Sequence, residues 1–278
     1  MKYQIYFTLK ITRRIFNKLG VYRTYPLSVG GKTYKVPIHK GLGYAHFADA
    51  EPWMDIVLKN TGEDNFRFLD VGVNIGQTLL KWKAEFPNSV YVGFEPNQNC
   101  VTYVNDLIAK NNIEHCTIQP YGISTSKTNA QLYLLGRDPG DSSASTIQNF
   151  RKDQERTGIS IQLIPLKEID NKPFDLIKID VEGSELEVIQ SIFEVNGDPI
   201  IICEILPIYA AENTERLARQ NSIGEILKQN NYVIYRIIKG EKISLIKLNE
   251  FDIHGDINLC DYIFMPESKE KAIIANFS

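Results

Sequence analysis

A chain of 278 residues, 43% hydrophobic and 23% charged, is long enough to bury an ordinary core without disulfide staples. Its four cysteines, Cys100, Cys116, Cys203 and Cys260, show no paired spacing and lie mostly in or beside apolar runs, which points to free thiols in a reducing, cytoplasmic setting and away from a secreted disulfide scaffold. The formal charge of −3 hides nine Lys or Arg and no acid in residues 1–40, against 22 basic and 34 acidic residues in the remainder, an acidic body that argues against nucleic acid as a partner.

The opening MKYQIYFTLKITRRIFNKLG sets Tyr6, Leu9, Arg13 and Phe16 along helical faces, with apolar stretches too short and too charged for a signal peptide or a membrane span. A basic amphipathic helix is expected, which either meets an anionic membrane surface, such as the inner face of the membrane, through residues 1–20 or packs on its own domain. SVGGKTYKV predicts a small hairpin turning at Gly30 and Gly31, and Trp53 to Asn60 a short helix after Pro52. The polar break Asn60–Asp64 separates this appendage, residues 1–62, from a main domain over residues 63–278.

From Phe66 strands and helices alternate. FRFLDVG, SVYVGFEP, IEHCTIQPYG, PFDLIKIDVEG and DPIIICEI read as strands, with helices over NIGQTLLKWKAEF, NCVTYVNDLIAKNN and Ser184 to Phe193 between them. This order predicts an α/β, Rossmann-like fold whose parallel sheet is covered on both faces. Residues 124–173 are too long for a simple crossover; they carry the strand-like AQLYLL and IQLIPL and are expected to cover a ligand crevice at the carboxyl edge of the sheet. Their hydroxyl-rich stretch Arg137–Ser145 suits sugar hydroxyls. After Ile205 a helix over 213–230 precedes YVIYRII, KISLIKL and LCDYIFMP, the first and last of which are expected to close a mostly parallel seven-stranded sheet as an antiparallel hairpin.

The strand-to-helix junction Asp70-Val71-Gly72-Val73-Asn74-Ile75-Gly76 is a glycine-rich loop, in which Gly72 lets a cofactor approach the backbone and Gly76 permits the turn into the helix. Glu95 ends the next strand, where an acidic side chain can accept both hydroxyls of a ribose. The spacing is G-x-x-x-G, and Asp70 would put negative charge where a pyrophosphate would lie. This favours a cofactor with an amino acid end over a dinucleotide, with Asp70 meeting its ammonium directly or through water and Asn74 and loop N–H groups adding hydrogen bonds. Gly122 and Ile123 close the third strand, where an adenine is expected to lie against Ile123 and bond nearby backbone or Ser124.

These stretches resemble the FkbM-type methyltransferase family of S-adenosylmethionine-dependent, Rossmann-like class I enzymes. The likeness rests on Asp70 to Gly76, Gly93-Phe94-Glu95-Pro96, the run Asp175 to Glu185 with its Lys-Ile-Asp-Val-Glu-Gly core, and Cys203-Glu204-Ile205. The resemblance implies S-adenosylmethionine as cofactor, Asp70 and Gly72 at its methionine end and Glu95-Pro96 at its ribose. It also implies methyl transfer to a hydroxyl of a sugar, glycolipid or related metabolite; the basic N-terminal end leaves open a lipid-linked or anionic acceptor. N- or O-methylation of a peptide or other small molecule is the alternative enzyme. A non-enzymatic surface-binding module built on residues 1–20 is the alternative outside enzymes, and a nicotinamide oxidoreductase is disfavoured by Asp70.

Lys178 interrupts an apolar strand where an unpaired ammonium would be costly. It is expected to pair with a carboxylate, either as a structural ion pair or to hold Asp180 beside the reacting atoms. An alcohol is a weak nucleophile, so Asp180 is the first choice for acceptor orientation or base and Glu204 the second, with His46 further off. A divalent metal on Asp180, Glu182 and Glu204 is an alternative to a plain acidic rim; no residue is assigned as a metal ligand. Glu185 belongs to the first turn of its helix, complementing the dipole. No feature of the sequence specifies an oligomeric state.

Overall fold

The computed structural model describes residues 22–39, 41–48, 51–135, 144–146, 156–208, 213–240 and 242–277. The expected basic helix in residues 1–20 and the part of the hydroxyl-rich stretch from Arg137 to Ser143 lie outside them. No helix among the described residues is long and apolar enough to cross a membrane.

The strands are β1 (Arg23–Val29), β2 (Lys32–Ile38), β3 (Arg67–Val71), β4 (Val90–Phe94), β5 (Cys116–Gln119), β6 (Gly122–Ile123), β7 (Thr128–Leu135), β8 (Arg156–Ile164), β9 (Leu176–Ile179), β10 (Ile200–Glu204), β11 (Tyr232–Ile238), β12 (Ser244–Leu248) and β13 (Asp261–Pro266). The principal helices are α1 (Pro52–Thr61), α2 (Gln77–Glu85), α3 (Gln98–Asn111), the short α4 (Leu166–Ile169), α5 (Glu185–Ile192), α6 (Thr214–Gln229) and α7 (Glu267–Ala275).

The main sheet has the order β12-β11-β13-β10-β9-β3-β4-β5. Strands β10, β9, β3, β4 and β5 are parallel, and β13 runs antiparallel between β10 and β11, as the Rossmann-like reading with its C-terminal hairpin requires. The sheet holds eight strands, one more than expected. KISLIKL supplies β12, which pairs antiparallel with β11 at the edge and so extends the hairpin. The expected third strand IEHCTIQPYG also breaks. Its ladder ends at Gln119, before Pro120, which has no N–H to donate, and Gly122–Ile123 leave to join a separate sheet of order β6-β8-β7 built from the insertion.

The parallel strands are buried on both faces, and alternation along them sorts their side chains into two cores. Leu69, Val71, Ile177, Ile179 and Ile201 face α5 and α6. Phe68, Tyr91, Leu176, Ile200 and Ile202 face the other way, onto α1, α2, α3 and the β1–β2 hairpin; Leu27 and Val36 of the hairpin and Trp53 and Val57 of α1 belong to that same core. The segment read as an appendage therefore shares a core with the sheet. The period of two also puts Asp70, Glu95, Lys178, Asp180, Glu204 and Asp261 on this second face, gathered toward the carboxyl ends of the parallel strands.

Candidate active site

A cavity of about 370 Å3 opens at the carboxyl ends of β3, β4, β9 and β10. One wall is the loop after β3 together with Phe94 to Asn97, the opposite wall carries Lys178, Asp180, Glu182 and Glu204, and Leu132, Ser145, Ile161 and Leu163 of the insertion contribute the cover.

Gly72 has φ of 91°, and a Cβ there would sit 2.0 Å from the Asp180 carbonyl oxygen, so only glycine lets the loop after β3 pass against the end of β9. The N–H groups of Gly72 and Val73 bond the Phe94 carbonyl at 3.0 and 3.3 Å, tying this loop to the end of β4. Asn74, with φ of 49°, then turns its own N–H onto Glu95 Oε2 at 2.7 Å. His46 secures the far side of the loop. Its Nε2 lies 3.0 Å from the Ile75 carbonyl, and burial lowers its pKa to about 4, so the ring is neutral and donates this bond. His46 supports the loop and does not line the cavity.

Glu95 is 6% exposed and lines the cavity. Its Oε2 accepts from Asn74 and its Oε1 accepts from the Asn97 N–H at 2.8 Å. Burial pushes its carboxyl up to about 7, with those two N–H groups working in the opposite direction. Each oxygen keeps a further lone pair, so Glu95 fits the paired hydroxyls of a ribose. Pro96, Gly122 and Ile123 adjoin it on the wall. Gly122 has no room for a side chain, since a Cβ would meet Leu163 Cδ2 at 2.6 Å. The Ser124 N–H bonds the Ile164 carbonyl at 3.1 Å.

Two of the residues expected at the cofactor stand behind the wall. Gly76, with φ of 84°, begins α2 and faces Val104 and Leu107. Asp70 is 0% exposed, and both of its oxygens are engaged: Tyr91 Oη donates to Oδ2 and Lys178 Nζ to Oδ1 at 3.4 Å. A direct contact between Asp70 and a ligand ammonium does not fit this arrangement. Tyr91 was not singled out from the sequence, although its place four residues before Glu95 on one strand marks the same face.

The Lys178 ammonium also reaches a second carboxylate, Asp180 Oδ2, at 3.1 Å, so it is ion-paired on both sides. Burial alone would lower this lysine; Asp180 and Asp70 outweigh it and hold the ammonium above its ordinary pKa. The Asp180 side chain is 37% exposed on the cavity side. Burial, then the neighbouring Asp180 and Asp261, push the Glu204 carboxyl well above the ordinary carboxylate range. Glu185 is drawn inward, accepting the Gly183 N–H at 2.9 Å, and burial pushes it up to about 8. Among the described residues no group of three or more His, Cys, Asp or Glu side chains is placed to hold a metal ion. Sequence reasoning missed Glu51, which precedes α1 and lines the cavity. Ser145, the last residue of the hydroxyl-rich stretch, lines it too, and its Oγ donates to the Glu182 carbonyl at 2.6 Å, pinning the insertion to the end of β9.

Residues 70–262 match the family described as Methyltransferase FkbM domain. "Methyltransferase sdnD" of Sordaria araneosa is 27% identical over 155 residues, covering 45% of this chain and 60% of that protein. "Methyltransferase 1" of Beauveria bassiana is 25% identical over 181 residues, covering 59% and 69% respectively. The match to the Sordaria araneosa protein thus spans about three fifths of its length. Among solved structures, the precorrin-6y C5,15-methyltransferase of Geobacter metallireducens aligns with 78% of this chain and 87% of its own at 12% identity and a TM-score of 0.41.

Proposed function

We propose, from the premise that this chain belongs to the methyltransferase FkbM domain family, that its cavity transfers a methyl group from S-adenosylmethionine to a hydroxyl of a sugar, glycolipid or similar metabolite. The observation that carries the reading is the shared cavity, with the Glu95 carboxylate held by two backbone N–H groups on one wall and Asp180 and Glu204 on the other. Glu95, Gly72, Asn74, Pro96, Gly122 and Ile123 would hold the cofactor, which when bound supplies an electrophilic methyl on a sulfonium.

The chain's own residues then have to orient the hydroxyl and receive its proton. Glu204, its carboxyl raised toward the protonated form, donates a hydrogen bond to the acceptor oxygen. Asp180, ion-paired to Lys178 yet open to the cavity, accepts the hydroxyl proton. Two carboxyl groups in one site thus divide donor and acceptor roles by their surroundings. The cover from the insertion, with its apolar Leu132, Ile161 and Leu163, excludes water that would compete as nucleophile. The basic charge of residues 1–20 supports an encounter with the cytoplasmic face of an anionic membrane, where a lipid-linked acceptor would be met.

Isothermal titration with S-adenosylhomocysteine and with NAD tests the cofactor, and binding of NAD alone would overturn the reading. A labelled methyl donor added to a fractionated cell extract tests the acceptor. Label is expected in the glycan or glycolipid fraction, and label confined to peptides would replace this acceptor with the alternative. Turnover is expected to persist in chelator, since Asp180 and Glu204 act here without a metal.

A further inference from the structure

Three parallel strands bring Tyr91, Asp70, Lys178 and Asp180 into one line. The ladder sets Asp70 against Lys178 of β9 on one side and Gly93 of β4 on the other. Tyr91 lies two residues before Gly93 and Asp180 two after Lys178, so all four side chains point to the same face. Gly93 leaves the space they need: a Cβ there would lie 2.5 Å from Val73 Cγ2 and 3.1 Å from the Tyr91 ring. The Tyr91 hydroxyl can therefore reach Asp70, Asp70 meets Lys178, and Lys178 meets Asp180. Of the four, only Asp180 is substantially exposed.

Neither Tyr91 nor Asp70 lines the cavity, so neither is placed to touch a bound molecule. A buried ion pair inside a sheet is often less stable than apolar residues of the same volume, which leaves stability as a weak reason for the row. The charges supply a better one. An ammonium facing a single carboxylate draws fully on it, whereas one facing two is shared. Burial pushes Asp70 toward its protonated form, and Lys178 and the Tyr91 hydroxyl oppose this. With Asp70 kept ionised, Lys178 is drawn back into the sheet and Asp180 keeps acceptor capacity toward the cavity. The same field contains Glu51 ahead of α1, Glu182 beyond β9, Glu204 on β10, and Asp261 on β13 with its partner Lys239. These groups face Asp180 from the other packed elements.

Resting on the reading of the cavity as a methyl-transfer site, we propose that Tyr91 and Asp70 are positioning residues that act through Lys178 to set the direction and charge of Asp180. The test is a carbon-13 NMR titration of the Asp180 carboxyl in the full chain, its signal identified by loss in Asp180→Asn. In Asp70→Asn the midpoint is expected to fall by about one pH unit, because Lys178 then faces Asp180 alone. Tyr91→Phe keeps the ring and is expected to move the midpoint the same way by a smaller amount, while S-adenosylhomocysteine affinity stays within about twofold. If Asp70→Asn does not fold, Tyr91→Phe carries the test. A Tyr91→Phe midpoint unmoved within about 0.2 pH unit overturns the inference. A tenfold loss of S-adenosylhomocysteine affinity with an unmoved midpoint also overturns it, and returns Asp70 to the ammonium of the cofactor. If the unaltered protein fails to bind S-adenosylhomocysteine, the reading of the cavity fails, while the Asp180 midpoint still decides the coupling.

Discussion

Acidifying the protein should weaken its hold on S-adenosylhomocysteine, with Glu95 setting the midpoint. Both Glu95 oxygens already face a backbone N–H, at 2.7 and 2.8 Å, so a proton added to this carboxylate must occupy a lone pair that a ribose hydroxyl would use. Losing one hydrogen bond to a charged group costs about 1.5–3 kcal/mol, or about 10- to 150-fold in affinity. Because burial lifts the Glu95 carboxyl to about 7, that loss should begin near neutral pH, well above the ordinary carboxylate range. Calorimetric titrations from about pH 8 to about pH 5.5 should show a flat dissociation constant above the midpoint and a rise of up to about tenfold per unit below it. Glu95→Gln should bind at the weakened level throughout, with no slope. Folding stability should respond in the opposite sense. A carboxyl whose folded pKa lies above its unfolded value contributes stability at low pH that is lost as pH rises toward the folded value, here between about 4.5 and about 7. A flat dissociation constant in the unaltered protein, or the same slope in Glu95→Gln, would refute the assignment of Glu95 to the ribose.

Gly72→Ala should cost about 3 kcal/mol or more and abolish S-adenosylhomocysteine binding, since its Cβ would lie 2.0 Å from a backbone oxygen at a φ of 91°; thermal denaturation and calorimetry check the two effects. His46 is neutral in the folded state with its pKa lowered to about 4, so the unfolded chain takes up the proton first and stability is lost as pH falls below about 6.5. His46→Gln should remove up to about 3 kcal/mol of that acid-side loss, read as a flatter stability profile in urea titrations between about pH 6.5 and about pH 4.5. Asp180→Asn should lower methyl transfer by about 100-fold or more with little change in S-adenosylhomocysteine affinity, and an undiminished rate in the labelling assay would remove Asp180 from the reaction. Glu204→Gln should stabilise the protein at about pH 9 by roughly 2 kcal/mol, discounted for the water that reaches the cavity, because the native carboxyl, pushed up to about 9, loses its contribution as pH rises toward that value.

Much of this site was legible from spacing. The loop from Asp70 to Gly76 and the acidic end of SVYVGFEP follow from turn chemistry and the period of strand and helix, and the cavity lies where they meet. The oddity of Lys178 in LIKI was legible too, because a charge amid apolar residues demands a partner. The partner on its flank was not. Asp70 is 108 residues from Lys178 in sequence, and the β3–β9 register that makes them neighbours is a property of the whole sheet. Asp70 was read as a ligand for an ammonium, and it does meet one, that of Lys178. The break after Gln119 was foreshadowed by Pro120, yet the destination of Gly122–Ile123 depends on pairing with Leu163 and Ile164 some forty residues later. Glu51 carried no local signal, since it reaches the cavity only because α1 packs into the core that covers that face.

The charges around the cavity also constrain the acceptor. Glu51, Asp180, Glu182 and Glu204 line it, and among the described residues Lys178 is the one Lys or Arg on its wall, already shared between Asp70 and Asp180. Among the described residues, a phosphate brought to this wall would meet several acidic side chains with no uncommitted lysine or arginine beside it, at a cost that rises as water is excluded. A neutral hydroxyl meets no such cost, because it can receive a hydrogen bond from the protonated Glu204 and give one to Asp180. On the proposed reading, an anionic or lipid-linked acceptor would keep its charge away from the acidic wall that the described residues form. The basic residues suited to greet that charge are concentrated in sequence in residues 1–40, where nine Lys or Arg stand without a single acid. Under the proposed function, the N-terminal charge would govern where the enzyme meets its acceptor, and the acidic wall would govern which hydroxyl of it is methylated.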